Sequence, residues 1–104
     1  MADCSVYLIG EPCARYHPSF VKVGISGDVS KRLRAIRTSC PLAVDAIMEW
    51  WTPSRSMAAQ IERAFHIGQH QRRTSGEWFL MSTAEAIEIV EQIIRQTGES
   101  ILWE

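Results

Sequence analysis

Long apolar runs, paired cysteines and a strong excess of one charge are all missing from this sequence. No stretch approaches the roughly 18 apolar residues of a membrane-spanning helix, and no basic start followed by an apolar run marks a secretory leader. The three cysteines, Cys4, Cys13 and Cys40, form no CxxC pair and have no closely spaced histidine. That spacing argues against both a disulfide framework and a structural zinc site. We therefore expect a cytoplasmic protein without a membrane span, whose cysteines are reduced.

The length and the composition are those of a small folded domain. With 104 residues the chain has room for one modest core, so we expect a single domain over 1–104. Its net charge of -1 hides an uneven distribution: residues 15–73 carry ten Lys or Arg against four Asp or Glu, whereas residues 74–104 carry one against six. A basic middle and an acidic end predict a face that could meet phosphates, with ordinary surface scatter as the alternative.

The hydrophobic pattern predicts elements in the order β-β-α-β-α-(β)-α. The strands are predicted over 5–9, 20–25 and 43–51, the helices over 29–38, 53–67 and from 82 onward, and residues 78–81 are either a small strand or a plug against the sheet. Asp28 and Thr52 are the predicted caps of the first two helices, and Ser82 to Glu85 has the spacing of a capping box. This order predicts an α+β domain with a small, mainly antiparallel three-stranded sheet flanked by helices.

Arg32 lies at the edge of the apolar side of the first predicted helix. Val29, Leu33 and Ile36 define that side at about 100° per residue. Burying a guanidinium without a carboxylate or phosphate costs several kcal/mol, so an internal acid or a bound anion should meet Arg32. The alternative is that its stem lies along the sheet edge while its head stays in water.

Three further side chains could carry chemistry beside an arginine. Glu62 and His66 are four residues apart and share one side of the second helix, where a metal ion could bind, although most such pairs are solvated surface contacts. A hard ion such as Mg²⁺ suits a single carboxylate that leaves other positions to water and phosphate oxygens. Tyr7 and Lys22, on the first two strands, could face one pocket or form a plain cross-strand pair.

The order and spacing of these residues resemble the GIY-YIG endonuclease superfamily, in the phage-enriched branch whose second motif is KIG or KVG. Val6-Tyr7-Leu8 stands at the first motif and Lys22-Val23-Gly24 at the second, with Arg32 eight residues after Gly24. The segment 58–66 is similar to the acidic helix of that family, and Gly76-Glu-Trp-Phe79 to the closing element of the branch. The resemblance covers residues 5–80, and its specificity lies in order and spacing.

The resemblance implies one-metal hydrolysis of DNA at a cleft where Tyr7, Lys22, Arg32, Glu62 and His66 converge. Glu62 would hold Mg²⁺ or Mn²⁺, Arg32 would neutralise charge on the phosphoryl oxygens, and Tyr7 would orient or deprotonate the attacking water. Lys22 replaces the tyrosine of the better-known branch, so it either assists as a base or serves as a phosphate contact. His66 could be a base, an indirect metal contact or a phosphate contact.

Two rival functions remain open at this stage. The first is a catalytically inactive nucleic-acid-binding or regulatory module with the same fold. In the nuclease and in the inactive module alike, the phosphate contacts would come from Lys31, Arg34, Arg37, Arg72 and Arg73. The second is a small dimeric interaction protein, suggested by four tryptophans and by the pair Trp50-Trp51. DNA specificity, RNA as the substrate, a homodimer and delivery by a partner protein are left open.

Overall fold

The computed structural model describes the backbone of residues 4–74 and 76–103, and the side chains among them as far as residue 97. The elements are β1 Cys4–Gly10, β2 Ser19–Ser26, α1 Val29–Ser39, β3 Asp45–Thr52, α2 Arg55–Gly68, a short 3-10 helix His70–Arg72, β4 Trp78–Met81 and α3 Thr83–Trp103. The predicted α+β class and element order are confirmed. No described helix is long and apolar enough to cross a membrane.

The sheet has four antiparallel strands in the order β3-β1-β2-β4, where three had been predicted. The fourth strand is the short apolar piece, which pairs with the first half of β2 from Ser19↔Met81 to Lys22↔Trp78. Its side chains alternate as those of a strand do, since Phe79 and Met81 are buried while Leu80 is exposed. Residues 78–81 therefore form an edge strand of the sheet and not a separate plug.

Local capping signals fix where the helices begin. The Asp28 carboxylate accepts from the Lys31 amide at 3.0 Å and caps α1 as predicted. The cap of α2 is Ser54, whose hydroxyl accepts from the Met57 amide at 3.1 Å. The predicted cap Thr52 is not used, because its hydroxyl donates to the Cys4 carbonyl at 2.7 Å and ties β3 to β1.

Two separate cores lie on opposite faces of the sheet. Side chains alternate along β1, so Val6 and Leu8 point to one face and Tyr7 and Ile9 to the other. The larger core lies under α2 and α3 and is built from Cys4, Val6, Leu8, Val21, Val23, Ala58, Ile61, Phe65, Phe79, Met81, Ala86 and Val90. The smaller core lies under α1 and contains Tyr7, Ile9, Val29, Leu33 and Val44. Helices α1 and α2 are therefore separated by the thickness of the sheet.

One stretch of sheet edge has no described strand as its neighbour. Strand β4 pairs with β2 only as far as Lys22, so residues 23–26 of β2 have β1 on one side and no described strand on the other. Long side chains from α1 and α2 can reach around this edge from opposite faces. We call residues 23–26 the open edge of β2.

Candidate active site at the open edge of β2

Tyr7, Gly24 and Arg32 form the best-defined part of the site. Tyr7 is buried, and its hydroxyl accepts a hydrogen bond from Arg32 Nε at 3.3 Å. Across the strands Tyr7 pairs with Gly24, and a Cβ atom on Gly24 would overlap the Tyr7 hydroxyl oxygen and Cζ. A glycine at this position is therefore what lets the phenol reach the open edge and meet α1.

The Tyr7 phenol dominates the electrostatic surroundings of Arg32, and two carboxylates act on it more weakly. The pKa of Arg32 is raised, first by the hydrogen bond to Tyr7, then by electrostatic attraction to the Tyr7 oxygen, and to a lesser extent by Glu77 and Glu62. Partial burial acts in the opposite direction. The arginine head remains exposed, with a phenol as its hydrogen-bond partner and acidic groups further away. The exposed head agrees with the alternative given for Arg32, whereas no carboxylate of the described residues pairs with it and a bound anion stays a prediction.

His66 and Glu62 approach the open edge from α2. His66 Nε2 lies 2.9 Å from the Val23 carbonyl oxygen, which can only accept, so Nε2 carries a proton and Nδ1 has a lone pair when the ring is neutral. The Phe79 ring packs edge-on against the imidazole at 5.0 Å and fixes its orientation. Glu62, one turn earlier, is half-buried and makes no hydrogen bond or ion pair within the described part of the chain.

Lys22 forms an ion pair with Glu77, a residue that was not predicted to belong to the site. Its Nζ donates to Glu77 Oε2 at 3.1 Å and lies 5.9 Å from the centre of the Trp78 ring. The hydrogen bond from Lys22 is the main reason that the pKa of Glu77 is lowered, and His66 and Arg73 add smaller contributions. Gly76, at a φ of 68°, makes the turn into β4 that brings Glu77 beside Lys22. The sequence feature that could have pointed to Glu77 is its place inside the segment Gly76-Glu-Trp-Phe79.

Four of the five predicted catalytic residues lie at one edge of the sheet. Tyr7 contacts Arg32, Lys22 and Arg32 both line one cavity of about 330 Å³, and His66 contacts the open edge of β2. Glu62 stands one turn before His66 on α2, and its approach to the other four stays a prediction. A guanidinium, an ammonium, a phenol and an imidazole therefore lie along this edge, with a carboxylate on the neighbouring turn of α2. These groups can bind a phosphodiester and donate or accept protons beside it.

The donor set fits a loosely held hard cation. Among the described residues there is no group of three or more His, Cys, Asp or Glu side chains placed to hold a metal ion. Glu62, however, offers a carboxylate that no cation of the described chain neutralises. Mg²⁺ and Mn²⁺ accept one protein carboxylate when water and substrate phosphate supply the remaining oxygens. The residues present therefore fit a one-carboxylate site and do not fit a preformed cage.

The five predicted phosphate contacts divide into two groups. Arg37, Arg72 and Arg73 have internal partners, namely Asp45 at 3.3 Å, Glu85 at 2.6 Å and the Gly76 carbonyl at 2.7 Å respectively. Lys31 and Arg34 are exposed and make no ion pair with any described residue. The five residues look alike in the sequence, but only these two of the five have no partner among the described residues.

A comparison with protein-family models matches most of the chain. The model of the T5orf172 domain matches residues 5–94, and the protein therefore belongs to the T5orf172 domain family. This is a phage-associated domain related to nuclease-like folds. The searches of curated proteins and of solved structures gave no match.

Proposed function

We propose that this T5orf172 domain is a metal-dependent DNA endonuclease of the GIY-YIG type. The observation that carries the proposal is the contact of Tyr7 with Arg32 over Gly24, beside a carboxylate on α2 that lacks a partner among the described residues. Helices on opposite faces of the sheet supply Arg32 and Glu62, and neither side chain is needed for the packing of either core. A phosphodiester with a cation is the ligand that satisfies both groups at once.

Arg32 acts on the phosphate in this mechanism. Its Nε is bonded to the Tyr7 hydroxyl, so the two terminal nitrogens remain available for phosphoryl oxygens. Charge that develops on those oxygens during in-line attack is stabilised by a guanidinium that is already held in place. The Tyr7 hydroxyl accepts from Arg32 and keeps its own proton for orienting the attacking water.

Glu62 is the residue that would hold the metal ion. A bound Mg²⁺ or Mn²⁺ supplies Lewis-acid stabilisation of the departing 3′ oxygen. Water attacks phosphorus, the bond from phosphorus to the 3′ oxygen breaks, and that oxygen takes a proton from solvent. His66 is suited to accept the proton of the attacking water at Nδ1 and to release it to solvent, because its Nε2–H is held in the hydrogen bond to the Val23 carbonyl.

Lys22 serves as a phosphate contact and not as the general base. In the ion pair with Glu77 its ammonium group is a cation and a hydrogen-bond donor. An approaching phosphate can take over that ammonium from Glu77, which is itself half exposed. The lysine therefore stands in the position of the second tyrosine of the better-known branch and supplies a positive charge there.

Supercoiled plasmid provides the direct test of this function. Purified wild type should nick the plasmid with Mg²⁺ or Mn²⁺ and not with chelator, and Glu62→Gln should lose at least about 100-fold in rate. Glu88→Gln, which changes an exposed carboxylate of α3, is the matched control and should cut at the wild-type rate. Nicking that ignores the metal, or that Glu62→Gln leaves unchanged, would refute the proposal.

The second candidate function is a nucleic-acid-binding module that does not cleave. The observation in its favour is that Lys22, in place of a tyrosine, is already neutralised by Glu77. Such a module would bind labelled DNA or RNA equally well as wild type and as Glu62→Gln, and would cut neither with any divalent ion.

A further inference from the structure

A continuous groove runs along one side of α1, beyond the residues that the proposed reaction uses. Three adjoining cavities of about 330, 220 and 210 Å³ form it. The first two share Arg32 and Ala35, and the first and third share Cys40, Pro41 and Trp78. We call this set of cavities the α1 groove.

Helix α1 forms the wall of the groove, and the sheet forms its floor. Arg32, Ala35, Ile36 and Ser39 line the first cavity and are spaced as residues on one side of a helix are. On the floor Lys22 pairs with Trp78 across β2 and β4. Two residues further along, Phe20 pairs with Leu80 on the same face of the sheet.

The two ends of the groove differ in chemistry. One end has an excess of basic residues, since Lys31 and Arg32 line the second cavity against Asp28, and Lys22 lines the first. The other end is aromatic, since Phe20 and Trp78 line the third. Phosphates suit the first end and the flat faces of bases suit the second.

The exposure of Phe20 has no explanation in the packing of the fold. Phe20 is 39% exposed and its neighbour Leu80 is 45% exposed. Neither belongs to the two cores, because α1 covers the sheet above Tyr7 and Ile9 and not this end. An exposed apolar surface that adjoins a basic cleft is typical of a binding site.

We propose that the α1 groove binds a nucleic-acid strand whose bases are unpaired. Phosphates lie at the Lys31, Arg32 and Lys22 end, and bases stack on Trp78 and Phe20. This rests on the proposed nuclease function and narrows its substrate to unpaired strands, namely single strands, flaps, branched molecules and the locally unpaired stretches of a supercoiled plasmid. A fully paired duplex would leave the aromatic end empty, because its bases are already stacked within the helix.

Strand binding can be measured apart from cleavage. Glu62→Gln protein in chelator is titrated against a fluorescein-labelled oligothymidine and against the same strand annealed to its complement, and anisotropy is recorded. We expect tighter binding of the single strand, and a loss of roughly tenfold for Phe20→Ala or Trp78→Leu in the same background. Trp51→Ala is the matched control, because Trp51 is 65% exposed but lines none of the three cavities.

Photocrosslinking gives a second readout that does not depend on a variant, which is needed because Trp78 also packs against the core under α1. An oligothymidine with 5-iodouracil at successive positions is irradiated with the Glu62→Gln protein, and the attached peptide is identified by mass spectrometry. Attachment at Phe20 or Trp78 supports the proposal. Attachment only elsewhere overturns it.

The outcomes separate this proposal from the nuclease proposal. A protein that binds the single strand through Phe20 and Trp78 but never cuts supports the groove and refutes the nuclease. A protein that cuts a duplex as fast as a single strand, with no effect of Phe20→Ala, supports the nuclease and overturns the groove.

Discussion

The two faces of the sheet differ in the size of their apolar cores and in the side chains around them. The face under α2 and α3 is a wide apolar core in which rings such as Phe65 and Phe79 pack edge-to-face at 5.1 Å. The face under α1 has a core of only five buried residues, and charged and aromatic side chains surround it. Stability is therefore concentrated on one face, and the other is left accessible for a ligand.

The neighbouring tryptophans of β3 illustrate this difference within two residues. Trp50 points toward α3, where its indole N–H donates to Glu91 Oε2 at 3.3 Å. Trp51 points to the other face and is 65% exposed. One exposed ring does not by itself make an interaction surface, and a contact between copies of the chain stays a prediction.

Truncation of one core residue on each face should give the largest effect on stability. It tests whether the two faces contribute differently to the free energy of unfolding. Phe65→Ala should lower the free energy of unfolding by about 3 to 5 kcal/mol, because a fully enclosed cavity remains. Leu33→Ala under α1 should cost no more than about 2 to 3 kcal/mol, because its site borders solvent and can relax. Urea denaturation of both variants measures the difference, and equal losses would show that the faces contribute alike.

Gly24→Ala tests the close approach of Tyr7 to Gly24 at the open edge of β2. The added methyl group overlaps the Tyr7 hydroxyl, so we expect a loss of about 1 to 3 kcal/mol in stability together with the loss of cleavage. Gly68→Ala is the control, since nothing lies within 4 Å of its added Cβ at the end of α2. That variant should be as stable as wild type or slightly more so, by up to about 1 kcal/mol. Normal cleavage by Gly24→Ala would contradict the role given to Tyr7.

The ion pair of Lys22 with Glu77 should give the smallest effect, and one with a defined pH dependence. Because folding lowers the pKa of Glu77 below its ordinary 4.5, the pair contributes stability above that pH and loses it as the pH falls through the lowered value. Glu77→Gln should cost under about 1 kcal/mol at neutral pH, since the pair is partly exposed.

The gap in unfolding free energy between wild type and Glu77→Gln should therefore close on acidification. Thermal or urea unfolding at neutral and acid pH measures it. The same comparison with Glu88→Gln, an exposed carboxylate of α3 that makes no ion pair with any described residue, should show no closing gap. A gap for Glu77→Gln that widens in acid would contradict the assignment.

Local signals predicted most of the fold. Alternation gave the first hairpin, and the Asp28 cap gave the start of α1. The second cap was misplaced because Thr52 and Ser54 are chemically alike, and only the bond from Thr52 to the Cys4 carbonyl separates them. The place of β4 in the sheet depends on pairing with β2, more than fifty residues earlier in the chain, and no local pattern contains that information.

The site was predicted as a set of residues but not as a set of contacts. Spacing indicated Tyr7, Arg32 and Glu62, and the structure adds that Tyr7 contacts Arg32 beside the stretch of β2 that β4 leaves unpaired after Lys22. Glu77 was missed because its place inside the segment Gly76-Glu-Trp-Phe79 does not reveal its partner Lys22, which lies 55 residues earlier in the chain. For the same reason Arg72 was counted as a free cation, although it pairs with Glu85.

Single-turnover cleavage by Arg32→Ala, Glu62→Ala and the double variant tests most directly whether the two helices act on one phosphate. Each single change should slow metal-dependent cleavage by about 100-fold or more, and the double variant should be hardly slower than the slower single one. That result is expected of groups which work as one unit. Losses that multiply, or a wild type with no metal-dependent cleavage, would contradict the account.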